Sequence, residues 1–198
     1  MQLARARFSA ELEVRQAAET GDTHRVNGLV VPFNSRTRIF RNFYEEFRKG
    51  AFTRTLTDDS IDSALLIEHG GMAIARQSNN SVAFRETRSG LEFEAHLDRN
   101  DPDVQRVIPK LRNGNISDMS VGFIPRETSY HEDDDETTAI RTDVDLYEAS
   151  FVTFPAYEGT SAEARKLYYT KPEPHVKDNR FEQMVARLEM FRRKYDAR

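Results

Sequence analysis

Asn115-Ile116-Ser117-Asp118-Met119-Ser120-Val121-Gly122-Phe123 is the stretch on which the fold of this chain turns. It follows a segment of helical spacing that stops at Asn113-Gly114. Its apolar residues Ile116, Met119, Val121 and Phe123 read as a strand entering a core. Ser120 lies two residues from Gly122, and a glycine within a strand lets another backbone or a substrate approach closely. Taken alone, the stretch is a core strand with a satisfied hydroxyl. Two others change that reading.

Leu65-Leu66-Ile67-Glu68-His69-Gly70 is an apolar run that delivers a histidine to a Gly-Gly break. Asp145 to Tyr157 places one carboxylate, Glu148, inside an otherwise apolar strand. A serine hydroxyl becomes a nucleophile when a base takes its proton and a third group holds that base in one tautomer. Ser120, His69 and Glu148 supply one residue of each type, far apart in sequence and all on strand-like segments. A carboxylate on a buried strand is costly unless paired, and a histidine can pair with it. Each residue also has a structural use: His69 as a core or hinge histidine, Glu148 as partner to an arginine. His96, on another strand, is the next best base. His24 at a hairpin tip, His131 beside an acidic run and His175 near prolines suit the role less well. Ser117 competes with Ser120, but three residues apart on a strand the two face opposite sides.

Outward from these stretches, Phe8 to Val14 alternates with period two and is expected to pair with Arg25–Phe33 as a hairpin across Thr20-Gly21-Asp22. Arg36 to Lys49 is basic and aromatic but interrupted by Glu45 and Glu46, and reads as a loop packing its aromatics on the core. Gly50 precedes a short helix to Leu56. Ser81–Glu86 and Leu91–Leu97 form a hairpin across Arg88-Ser89-Gly90. Asp101-Pro102 opens a helix to Arg112, with Asp as N-cap and Pro at the first position. Pro109 is a blemish within it. His131 to Glu136 is a solvated acidic loop tip; its contiguous carboxylates lack the alternation of a calcium loop, and no metal or other cofactor is expected. Thr138 to Phe154 supplies one or two further strands, and Gly159 to Tyr168 a short helix. Lys171-Pro172-Glu173-Pro174 is a linker. Phe181, Met184, Val185, Leu188 and Phe191 then fall on one side of an amphipathic helix. The organisation expected is a unit over residues 1–170, a linker over 171–179 and a helix over 180–198.

The 198 residues carry 29 Lys and Arg against 33 Asp and Glu, a net charge of −4, so no basic excess points to nucleic acid. Cysteine is absent, which removes a thiol nucleophile, a thiolate zinc site and any disulfide. No run has the length of a membrane span, and the N-terminus lacks the apolar region of a signal peptide. A soluble intracellular protein is expected.

The phrases LIEHG (Leu66–Gly70 with its preceding Leu65), DMSVGF (Asp118–Phe123) and LYEASFVTFPAY (Leu146–Tyr157), in this order and spacing, resemble the prohead serine proteases of tailed bacteriophages. RKGAFTRTL from Arg48 and GTSAEAR from Gly159 match the same family's flanking segments, and the resemblance covers roughly Val26 to Arg165. It implies an α+β, mainly β fold like that of herpesvirus proteases, an antiparallel barrel with helices packed around it. It implies Ser120 as nucleophile, His69 as base and Glu148 as the acidic member, acting through an acyl-enzyme. The implied task is to cleave scaffold segments, or scaffold-like arms of the major capsid protein, inside the immature head in the host cytoplasm, often with self-cleavage. Partners would be the capsid protein and further copies of this chain, with no nucleic acid and no membrane. Ala75 and Ala149 depart from the family's usual residues without touching the three. An inactive scaffolding or assembly module, and a hydrolase of small esters on another fold, are the alternatives.

Overall fold

Alternation of apolar and polar residues turns most of the described residues into strand. The structure, a computed structural model, describes residues 22–153 and two strands before them, β1 (Ala4–Ser9) and β2 (Leu12–Arg15). The chain divides into two units, Met1–Ser161 and Ala162–Arg198, and every described residue lies in the first. The short helix at Gly159–Tyr168, the linker and the amphipathic helix over 180–198 lie outside the described residues. No helix among those described is long and apolar enough to cross a membrane.

In order, β3 (Thr23–Pro32), β4 (Thr37–Phe40) and β5 (Phe43–Phe47) lead to helix α1 (Thr53–Thr57). Then come β6 (Ala64–Ile67), β7 (Gly70–Arg76), β8 (Val82–Glu86) and β9 (Gly90–Asp98). Helix α2 (Pro102–Arg112) precedes the two longest strands, β10 (Asp118–Asp133) and β11 (Glu136–Val152). One sheet has the order β2-β3-β9-β8. The other runs β1-β10-β11-β5-β4, with β6 also on β11 and β7 on β6. Phe93 of β9 meets Phe151 of β11 edge to face at 5.8 Å, and Phe47 packs on Phe52 and Phe123 at 5.4 and 5.1 Å, tying the sheets through one apolar core.

The fold is therefore mainly β with few helices. The expected antiparallel barrel is not what the described residues form. They make two sheets with no closure between them, and the larger sheet is mixed. Its geometry follows from the length of β11. One edge of β11 pairs antiparallel with β10 along its whole run; the other takes β5 at residues 137–141 and β6 at 148–151, both parallel. Between those two partners the buried backbone of β11 still needs hydrogen bonds. The segment around α1 provides them. Ala51 O accepts from Val144 N at 3.0 Å, Thr55 Oγ1 accepts from Leu146 N at 3.0 Å, and Ser63 Oγ donates to Leu146 O at 2.8 Å. That is why a Thr and a Ser are fully buried there.

Two sequence expectations are corrected. Residues 8–14 are not one strand: β1 pairs with β10 and β2 with β3, in different sheets. Residues 36–49 are not a loop but the hairpin β4–β5, turning at Asn42 with φ 62°. Glu45, which broke the pattern, is wholly buried and accepts from Arg141 Nε at 2.7 Å. The β8–β9 hairpin stands as expected. Gly90 is needed at its turn because a Cβ there would lie 2.0 Å from the carbonyl oxygen of Val31. Helix α2 also stands, with the Asp101 side chain accepting from Asp103 N at 2.8 Å, and the acidic run is an exposed tip of the β10–β11 hairpin.

Asp145 is the buried carboxylate that holds α1 to this sheet. Burial pushes its carboxyl up, but Arg126 and Arg54 outweigh that and hold it below the usual range. A depressed carboxyl contributes stability above its unfolded pKa, about 3.9, and loses it as pH falls through the folded value. Asp145→Asn should lower stability at neutral pH by about 1–3 kcal/mol, since both arginines are half exposed and can turn to water. Urea midpoints of wild type and variant across pH check this: the gap should narrow below about pH 4, and a gap constant with pH would remove the ionised pair as its cause.

Candidate functional site

Parallel pairing with β11 brings the end of β6 beside Phe151, and there the chain reverses. Glu68 and His69 both adopt left-handed backbone, φ 53° and 59°. Side chains other than Gly rarely sit there, and each such residue costs on the order of 1–3 kcal/mol unless its surroundings hold it. Here they do. Glu68 N donates to Phe151 O at 2.9 Å. The Glu68 carboxylate accepts from Thr153 N at 2.6 Å and from Thr153 Oγ1 at 2.5 Å. His69 is thus not on the strand, as expected, but on a clamped turn just after it.

The turn aims His69 back at the sheet, where its Nδ1–H donates to Glu148 Oε1 at 2.7 Å. The other carboxylate oxygen, Oε2, accepts from Ser150 Oγ at 2.5 Å. A carboxylate bonded on both oxygens has little freedom to rotate. It holds the imidazole in one tautomer, with Nε2 as the ring's basic end. Nε2 is buried and has no hydrogen-bond partner among the described residues.

The register places the rest. Met119 and Val121 of β10 pair with Phe151 and Ala149 of β11 and face the core. Ser120 pairs with Ser150 and Gly122 with Glu148, so these four share the opposite face. The structure therefore brings Ser120, His69 and Glu148 to one face of one sheet, though no Ser120–Nε2 hydrogen bond is formed here. Ser120 is wholly buried, and the side chains of His69 and Glu148 are only 4% and 7% exposed. Charge on such a site acts through a medium far less polarisable than water. Ser117 is exposed just before β10, and its hydroxyl donates to Asp118 Oδ2 at 2.9 Å. His96 lies on the smaller sheet, half exposed, 3.4 Å from Glu94.

Gly122 has a use that spacing alone did not show. A Cβ at this position would lie 2.4 Å from Glu148 Oε1 and 2.8 Å from Cδ. The missing side chain is the bed on which the carboxylate lies. Gly122→Ala should displace Glu148 and with it His69, costing about 1–3 kcal/mol of stability as overpacking does, and a larger share of any activity that depends on the imidazole. Thermal melts and turnover measured together check this; unchanged turnover would mean that the carboxylate's position is immaterial.

Ser150 and Glu68 were missed as site residues. For Ser150 a signal was present: Glu148-Ala149-Ser150 on a strand puts Glu and Ser on one face. Glu68 offered none, because its partner Thr153 is 85 residues away.

Against known families, the model described as caudovirus prohead serine protease matches residues 10–173. No curated protein and no solved structure matches the chain.

Proposed function

Since this chain belongs to the caudovirus prohead serine protease family, we propose that it is an active serine endopeptidase using Ser120, His69 and Glu148 as its triad. The observation that carries the reading is the hydrogen-bond chain from Ser150 through Glu148 to His69, built over the sheet face that bears Ser120. Nε2 takes the Ser120 proton as Oγ attacks a peptide carbonyl. The imidazolium, supported by Glu148, returns that proton to the leaving amine. Water then releases the acyl group from Oγ, with His69 again as base. Burial of Ser120 means that a peptide reaches it only when this face is uncovered, and the Ser120–Nε2 contact tightens at that step.

The substrates on this reading are the scaffold segment or scaffold-like arm of the major capsid protein, inside the prohead in the host cytoplasm, with self-cleavage as a second activity. The likeness to herpesvirus proteases rests here on the family resemblance alone. The test is incubation of the purified chain with its capsid or scaffold protein, followed by gel and mass analysis. Cuts at fixed positions support the proposal; binding without cuts would favour an assembly module; neither would leave a hydrolase of small esters.

We also assign residues 1–170 to the protease, 171–179 to a linker and 180–198 to a helix that docks on a capsid-protein segment or a second copy. Its support is the apolar stripe from Phe181 to Phe191 beyond a proline-containing segment. A chain ending at Thr170 should keep peptidase activity and lose incorporation into heads. Joint loss of activity and solubility would make the helix part of the protease core.

A further inference from the structure

A cleft of about 350 Å³ opens directly beside the His69 turn. Its near wall is Ile67, Glu68 and Gly70, the residues flanking His69, continued by Gly71 and Met72. Its far wall is one face of α2, where Asp103, Arg106, Val107 and Lys110 recur at helical spacing. Ile116, just before the strand of Ser120, closes the end.

Three features say what it would hold. The surfaces of Ile67, Val107 and Ile116 are apolar, and Met72, 79% exposed, adds an adaptable thioether chain to the lining. The rim is charged unevenly. Glu68 is committed to Thr153, and Asp103 faces Arg106 at 3.5 Å. Exposed Lys110 has neither an ion pair nor a side-chain hydrogen bond among the described residues. Finally, β7 pairs only with β6 among the described strands, and Gly70 and Gly71 at its start are exposed. An extended backbone can dock along such an edge while its side chains enter the neighbouring hollow.

We propose that this cleft is the specificity subsite of the protease. It takes a large unbranched or γ-branched apolar side chain of the substrate beside the scissile bond, with an acidic neighbour that pairs with Lys110. The inference rests on the reading of Ser120 and His69 as catalytic. It adds a substrate class: peptides in which an apolar and an acidic residue are adjacent near the cut.

The experiment compares kcat/KM for matched peptides around a cut in the capsid or scaffold protein, with Leu or Gly as the apolar position and Glu or Lys as its neighbour. Wild type should prefer the Leu and Glu forms. Lys110→Glu should shift the Glu-to-Lys preference toward Lys by on the order of tenfold, and Met72→Asp should erode the preference for Leu. Circular dichroism establishes that both variants are folded. Labelling of the wild-type chain by a small fluorophosphonate reports Ser120 reactivity without any peptide subsite. Labelling and cleavage with preferences unmoved in both variants would overturn the subsite and leave the protease reading standing. Absence of both from wild type would overturn the reading and the subsite with it. A change of oligomeric mass in Lys110→Glu with selectivity unmoved would assign the cleft to a second copy and overturn the proposal.

Discussion

Ser120→Ala should abolish cleavage of the capsid or scaffold protein while the chain still folds. The loss expected on removing a serine nucleophile is on the order of 10⁴ to 10⁶ in turnover. The folding side is a separate expectation: Ser120 is wholly buried and pairs with Ser150 across the strands, and its replacement removes one oxygen and adds no bulk. Ser117→Ala is the comparison. Ser117 is exposed, precedes β10 and is bonded to Asp118, so its loss should leave most activity. Gels of capsid protein co-expressed with each form read the result, and thermal melts separate chemistry from misfolding. Full activity in Ser120→Ala would sink the assignment. Activity lost from Ser117→Ala alone would move the nucleophile to the start of the strand.

His69→Ala should cost nearly as much as Ser120→Ala, and the double variant little more than either, because members of a triad act as a unit. Glu148→Gln should cost less than His69→Ala yet still orders of magnitude. An amide can accept from Nδ1–H, but it cannot offset the charge of an imidazolium. Ser150→Ala should cost least, since it frees only one carboxylate oxygen. Single-turnover rates on one peptide rank the four. Additive losses for Ser120 and His69 would mean that they do not share a step. A Ser150→Ala effect as large as that of His69→Ala would instead suggest that Ser150 does more than hold Glu148.

Much of this site was legible because its parts are local. The strand at Ser120, the carboxylate at Glu148 among apolar residues and the His-Gly-Gly break each announce themselves within a few residues. So do the Asp101 cap of α2 and the Gly90 turn. What was not legible depends on partners distant in sequence. Glu45 looked like the end of a pattern until Arg141, 96 residues on, made it a buried pair. Nothing in Leu65–Gly70 says that Glu68 and His69 turn left-handed, since Phe151 and Thr153 hold them there. The parallel placement of β5 and β6 likewise depends on the length of β11, and local alternation is blind to whether a strand's neighbour runs with it or against it.

That strand has a consequence in time. β11 is the last described element; it bears Glu148, Ser150 and Phe151, and Thr153, which with Phe151 clamps the His69 turn, follows it directly. During synthesis Ser120 and His69 leave the ribosome before β11, when β10 and β6 have only β1 and β7 to pair with and Glu148 is not yet there to orient the imidazole. Pairing across such sequence separations is slow to form. On the proposed reading, a nascent or prematurely terminated chain ending before Glu148 would carry Ser120 and His69 and still be inert. On that reading competence arrives with β11, the last described strand, and the chain is spared cutting its neighbours, or itself, before that strand is in place.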